Sequence, residues 1–237
     1  MNPAEEQPVL LRVVVGSRAH GLSREDSDYD YREVFAYPTS TILSLGRPAL
    51  KHAWMTPPQR MVDDEGGYEI AEFLHLVAKG APGAVEMLFA PKADGWHPAT
   101  LLAAGERSVQ AIGRTLLTRK AVQDGILGYA SNAMKKIPER PGKWKGTVLR
   151  VLYQGQELLR TGGLPTLEVP EYVYSEPLTW WGAVVRSATA NKMTDGIVLD
   201  RANALIAEIK AMPSALPDVP DWSTANAWLL RLRREMW

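Results

Sequence analysis

Apolar positions form one continuous run near the N-terminus and recur at helical spacing over most of the remaining chain. Val9 to Val15 is apolar and β-branched, interrupted only by Arg12, which predicts a central strand covered on both faces. Tyr29 to Tyr37 alternates more roughly and supplies the neighbouring strand. Thr39 to Leu45 predicts a short helix, with Pro38 and Gly46 as its punctuation. Lys51 to Asp64 returns as one or two strands broken at Thr56-Pro57-Pro58-Gln59, and it ends in the acidic group Asp63-Asp64-Glu65 before Gly66-Gly67. Tyr68 to Lys79 places Ile70, Phe73, Leu74 and Val77 at helical intervals and stops at Gly80. A second short helix, Gly83 to Phe89, follows Pro82.

Beyond Pro91 the pattern is helical. Helices are expected over Pro98 to Ile112, Leu117 to Ile137, Lys143 to Arg160, Pro177 to Ser187, Asp195 to Met212 and Trp222 to Trp237, with a brief edge strand at Thr166 to Val169. The Pro-rich stretch Met212 to Pro220 reads as an ordered connection between the last two helices. The expected fold class is α+β: a small mixed β-sheet in residues 1–91, followed by a helical domain in residues 92–237 that closes a cleft over it.

Composition narrows the function classes. The chain has 237 residues with Lys+Arg 27 against Asp+Glu 27, so no global field favours a nucleic acid or a membrane, and any basic surface is local. Cysteine is absent, which excludes disulfides, thiolate catalysis and Cys-ligated metal centres. Met1 to Pro8 has no basic region leading into an apolar core, and no apolar run reaches the ~20 residues that span a bilayer. A cytoplasmic protein without a membrane partner is expected.

The chemistry concentrates in Gly16-Ser17-Arg18-Ala19-His20-Gly21-Leu22 and Asp26-Ser27-Asp28-Tyr29-Asp30-Tyr31-Arg32. Gly16-Ser17 stands where a strand turns into a helix, so backbone N–H groups and the Ser17 hydroxyl can meet an anion, and glycine allows its close approach. Asp28 and Asp30, one residue apart on a strand, point the same way about 6 to 7 Å apart. Two carboxylates so close repel unless they share a cation. Two-metal chemistry on a triphosphate needs a further carboxylate from an adjacent strand. Asp64, ending the strand-like Arg60-Met61-Val62 run, is the first choice, with Asp63, Glu65 and Glu69 as substitutes.

These residues resemble the signature of the polymerase-β-type nucleotidyltransferase superfamily, and more narrowly its predicted branch associated with RNA repair, common in phages and bacteria. Tyr68-Glu69-Ile70-Ala71-Glu72-Phe73-Leu74 and Gly80-Ala81-Pro82-Gly83-Ala84-Val85-Glu86-Met87-Leu88-Phe89 continue the likeness. It loosens through Gly128-Tyr129-Ala130, Lys143, Arg150 and Leu158-Leu159-Arg160-Thr161-Gly162. Ala81 stands where that pattern has Asn, and Thr147 where it has His. The resemblance implies that Gly16 and Ser17 hold the triphosphate of an NTP such as ATP, and that Asp28, Asp30 and Asp64 bind Mg²⁺, with Mn²⁺ as a substitute. The implied reaction moves a nucleoside monophosphate onto an acceptor, first of all an RNA 3′ end, with release of pyrophosphate. A nucleotide-binding regulatory module without turnover, and a transferase acting on a protein or small molecule, are the alternatives.

Further side chains join these candidates. Arg18, directly after the turn, can neutralise phosphate charge. Lys135, Lys136, Arg140, Lys143 and Lys145 gather around the interhelical loop Ile137 to Gly142, which reads either as a receiver of a triphosphate or RNA backbone or as an ordinary solvated face, and Arg150 follows on the same helix. Tyr129 and Tyr153 are candidates for base stacking, set against an ordinary core role. His20, His52, His75 and His97 show no ligand spacing, and only His20 lies inside the signature. The late tryptophans Trp180, Trp181, Trp222, Trp228 and Trp237 read as packing or interface residues.

Overall fold

The computed structural model describes residues 7–23, 28–45, 66–93, 107–164 and 181–237. The expected strands in Lys51 to Asp64, the Thr166 to Val169 edge strand, most of the Pro98 to Ile112 helix and the beginning of the Pro177 to Ser187 helix lie outside the described residues. So do Asp63, Asp64, Glu65, His52, His97 and Trp180.

The fold is α+β, as the sequence predicts. Strand β1 (Val9–Val15) ends at the single turn α1 (Gly16–Ala19), and β2 (Asp30–Phe35) runs back antiparallel beside it. After α2 (Thr39–Leu43), strand β3 (Gly66–Glu69) adds parallel to β2. The sheet order is β1-β2-β3, so β2 is the central strand rather than β1. β1 is nevertheless paired on its other edge: Val13 bridges to Lys92, the Val14 N–H donates to the Pro91 carbonyl, and the Ala93 N–H donates to that of Arg12. This second partner, a short segment with no strand pattern of its own, satisfies backbone groups on the edge of β1, while Leu10, Leu11 and Val13 pack into the apolar core.

β3 passes directly into α3 (Ile70–Ala78), which shortens the helix expected from Tyr68. The reason is Glu69, which pairs with Phe35 as the last strand residue and whose carboxylate accepts from the Ala71 N–H as the helix cap. Helix α4 (Pro82–Met87) follows, with proline in its first turn. The helical part consists, in the described residues, of α5 (Val109–Arg114), α6 (Arg119–Lys135), α7 (Pro141–Thr161), α8 (Gly182–Thr189), α9 (Asp195–Ala211) and α10 (Trp222–Glu235). Ser108, Thr118, Thr194 and Asp221 cap α5, α6, α9 and α10 through their side-chain oxygens. Gly162, in the left-handed region at φ 77°, closes α7.

One apolar cluster runs from Leu10 of β1 through Phe73, Leu88 and Leu152 to Trp228 and Leu232 of α10, so buried side chains before and after residue 91 share a core. Tyr153 is 1 % exposed, stacked on Trp181 with its hydroxyl accepting from Arg201. It is a core residue and offers no face to a base. Two residues of α5 hold the end of α4 in place: Gln110 donates to the Met87 and Ala90 carbonyls, and Arg114 to that of Leu88. They satisfy carbonyls a helix end leaves unpaired, directly after Glu86 in the last turn of α4. No helix among the described residues is long and apolar enough to cross a membrane.

Candidate active site

The site starts where β1 stops. Val15, its last residue, pairs with Asp30, the first of β2, and Gly16 then turns the chain at φ 71°. A β-carbon on Gly16 would come within 2.0 Å of Asp30 Oδ2. The backbone of the turn and the carboxylate thus stand against each other, and a side chain at this position would displace one of them. The Leu22 N–H donates to the Ser17 carbonyl and the Gly21 N–H to that of Arg18, closing the segment into a tight loop.

Asp28 lies two residues before β2 begins and is exposed. The strand alternation expected to align Asp28 with Asp30 therefore does not extend to Asp28, because β1 turns away at Gly16 and, among the described residues, no ladder partner stands beside Asp28. Asp28 is held through its backbone instead, its carbonyl accepting from Arg18 Nε at 3.3 Å. The Arg18 guanidinium lies 3.8 Å over the Tyr29 ring, and Tyr29 stacks with Tyr31, over which Arg12 is placed at 4.6 Å. Arg18 is so tied by both contacts to the segment that carries the two aspartates.

The substitutes for the third carboxylate separate clearly. Glu69 is fully buried, caps α3, and pairs with Arg233 of α10. It is matched to Phe35, five residues along β2 from Asp30, which at about 3.3 Å per residue is some 16 Å away. Glu69 is a structural carboxylate. Asp64 lies outside the described residues; in sequence it stands two residues before Gly66, whose partner is Arg32, while Asp30 stands two before Arg32. Among the described residues no group of three Asp, Glu or His side chains comes together.

A polar cluster at the other end of the signature loop is the feature that sequence reasoning missed. His20 closes α1 with its side chain only 5 % exposed. Gln154 Nε2 lies 3.2 Å from its Nδ1, and Glu86 Oε2 lies 3.6 Å from its Nε2. Arg150 Nη1 donates to Glu86 Oε1 at 2.5 Å and to Gln154 Oε1 at 2.8 Å. The four side chains therefore form a closed ring joining the signature loop to α4 and α7. Burial, and then the Arg150 charge, push the His20 pKa down. Burial raises that of Glu86, but Arg150 and His20 outweigh it and bring it to about 2. Arg150, expected at the nucleotide, has this nitrogen committed to the ring. The hint in the sequence was a histidine inside the signature; its partners, 66 and more residues away, gave no signal.

The remaining basic residues divide. Lys145 is buried and not part of a basic surface, its ammonium 2.8 Å from Asn191 Oδ1 and 2.6 Å from Asp195. Lys135, Lys136, Arg140 and Lys143 lie toward the surface, and the ammonium groups of Lys136 and Lys143 are 4.8 Å and 5.7 Å from the centre of the Trp144 ring. Lys143, Thr147, Arg150 and Gln154 follow one another at intervals of three or four residues along α7, so they share a face that runs from solvent down to His20. Tyr129 is 40 % exposed on α6.

No curated protein and no solved structure matches this chain significantly. The family model that matches is described as the RNA repair pathway DNA polymerase beta family, and it covers residues 1–178, including the signature loop, both aspartates and every member of the His20 ring. On that match, over more than half of its length, the chain belongs to the RNA repair pathway DNA polymerase beta family.

Proposed function

We propose that the protein is a metal-dependent nucleotidyltransferase that moves a nucleoside monophosphate from an NTP onto an acceptor hydroxyl, with an RNA 3′ end as the first candidate, and releases pyrophosphate. The observation that carries this reading is the closure of Gly16 on the Asp30 carboxylate. A bare backbone turn held beside an acid is what a triphosphate with its counter-cations requires.

The donor set fits divalent cations: Asp28 and Asp30 offer hard oxygen ligands beside a cradle that a side chain would fill. Asp28, Asp30 and Asp64 would hold Mg²⁺, or Mn²⁺ in its place. Bound there, the ions would neutralise triphosphate charge and acidify the acceptor hydroxyl. Gly16 admits the phosphates to the backbone, and the Ser17 hydroxyl donates to a phosphate oxygen. Arg18, steadied on Tyr29, adds positive charge. Lys136 and Lys143 draw in phosphate groups of the nucleotide or acceptor. The acceptor oxygen forms a bond to the α-phosphorus, the bond to pyrophosphate breaks, and Asp64 accepts the hydroxyl proton. Positioning and charge neutralisation supply most of the rate. We place this reaction in the cytoplasm, with its triphosphate supply.

The test is transfer from labelled triphosphates to RNA, protein extract and small molecules, with Asp28→Ala and Asp30→Ala as variants. Both should lose transfer while keeping the wild-type circular dichroism spectrum. Wild-type-like transfer by either would sink the mechanism. Binding without metal-dependent pyrophosphate release would identify a regulatory nucleotide-binding module instead.

A further inference from the structure

We propose that Glu86, Arg150 and Gln154 are positioning residues, which hold His20 as the neutral Nε2–H tautomer and through it fix the Gly16-Ser17 turn against Asp30. The part of this that concerns transfer rests on the function proposed above. The part that concerns the turn does not.

The tautomer follows from the donors and acceptors in the ring. Arg150 can only donate, so the Gln154 atom facing its Nη1 at 2.8 Å is the amide oxygen. Gln154 then presents its NH₂ group to His20, and His20 Nδ1, 3.2 Å away, must be the acceptor. The imidazole proton is left on Nε2, directed toward Glu86 Oε2. Glu86 Oε2 stands 3.6 Å from His20 Nε2 while its Oε1 accepts from Arg150, so the two carboxylate oxygens face the two donors. A second proton on His20 would set Nδ1–H against the Gln154 NH₂. That amide cannot turn round without facing the Arg150 guanidinium with its own donors. Gln154 and Arg150 thus disfavour the imidazolium and the other tautomer together; burial also disfavours the imidazolium, against the opposing pull of the Glu86 charge.

The ring bears on the turn because the chain between them is short and closed. His20 ends α1, its N–H donating to the Arg18 carbonyl, and the Ser17 carbonyl is bonded across it to the Leu22 N–H. The imidazole is the only side chain of residues 16–20 that enters this ring. A displaced His20 therefore moves the loop that meets Asp30. The charged groups of the described residues that face His20 are Glu86 from α4 and Arg150 from α7, and on the far side Glu86 and Gln154 border an apolar cavity with Val122, Ile126 and Val151.

Gln154→Glu tests this. The new carboxylate keeps an acceptor for Arg150 and gives His20 Nδ1–H an acceptor too, so it should raise the His20 pKa by about one unit or more. Nitrogen and carbon NMR of the full chain, with His20 assigned from His20→Gln, should show the Nε2–H tautomer in the wild type. The Gly16 and Ser17 amide signals should shift with the same midpoint as the His20 ring, and both midpoints should rise together in Gln154→Glu. In the transfer assay the acid side of the kcat/KM profile should move up in pH with them, with little change at pH 8. An Nδ1–H tautomer, or Gly16 and Ser17 amides that ignore His20 titration, overturns the proposal whether or not the protein is a transferase. Amides that respond with a transfer profile that does not would overturn the link to catalysis alone. A wild type without any transfer would count against the proposed function and leave the NMR result to decide the ring.

Discussion

The Asp30 carboxylate occupies the space that a side chain at Gly16 would need, with Asp30 Oδ2 lying 2.0 Å from where a β-carbon would be. The backbone at Gly16 is also left-handed, at φ 71°. Close approach and conformation make separate demands on the one residue, and both are met where β1 hands over to β2.

Gly16→Ala should therefore lose stability and transfer together. A left-handed alanine alone costs about 1 to 2 kcal/mol, and the contact with Asp30 adds to it. Displacing the carboxylate or the turn by ~1 Å should lower kcat/KM about 100-fold. Urea unfolding and steady-state transfer measure the two effects, and an active Gly16→Ala enzyme would show that the close contact has no part in the reaction.

A second glycine contact provides the control. Gly125 of α6 faces the Gly80 carbonyl, and a β-carbon there would approach its oxygen to 2.0 Å. Gly80 itself is left-handed, at φ 69°. Gly125→Ala should push α6 from the turn before α4 and cost roughly 1 to 3 kcal/mol. Because it touches no proposed substrate group, KM for the triphosphate should hold in the fraction that remains folded.

The C-terminal helix is latched to the sheet by Arg233, which pairs with the buried Glu69 and donates to the Tyr37 carbonyl, while Thr39 Oγ1 donates to the Arg233 carbonyl. Arg233→Met should leave a buried carboxylate without its charge partner and cost about 3 to 5 kcal/mol. Adding Glu69→Gln should return a large part of that loss. Thermal unfolding of the two single variants and the double variant gives the coupling, and strict additivity would refute it.

Acid stability should depend on the His20 ring. The Glu86 pKa is lowered from 4.5 to about 2, so folding favours its ionised form. Its contribution is complete above the unfolded value of 4.5 and is lost as pH falls toward 2. His20 is also lowered, so its neutral form is favoured, and that contribution begins to fall away below its ordinary 6.5. Unfolding free energy should thus decline with acid in two stages. Glu86→Gln should flatten the stage below 4.5, and an unchanged slope there would contradict the assignment.

The surface lysines should act through charge alone. Lys136→Gln and Lys143→Gln should weaken binding of a single-stranded RNA acceptor. Each should reduce the slope of log affinity against log salt by about 0.7 if it meets one phosphate. A slope that does not change would place the acceptor elsewhere.

Local patterns made much of this protein legible. A β-branched run, proline and glycine punctuation and apolar residues at helical spacing depend on near neighbours, and they located β1, α6, α7, α9 and α10 to within a few residues. The signature Gly16-Ser17 with Asp28 and Asp30 was visible because a turn and two carboxylates carry their chemistry in a short stretch. What the chain could not reveal was who stands beside whom. Glu69 reads as a possible ligand until Arg233, 164 residues later, claims it. Lys145 reads as part of a basic surface until Asp195 does the same. Arg150 reads as a phosphate ligand until Glu86 and Gln154 join it to His20. Charge and hydrogen-bond capacity belong to the residue and can be read in order; the partner that uses them is chosen by long-range packing. The sequence by itself determined the main elements and the family to which the signature belongs. Only the tertiary structure decided which polar groups are claimed by partners far along the chain, because those contacts are set by long-range packing.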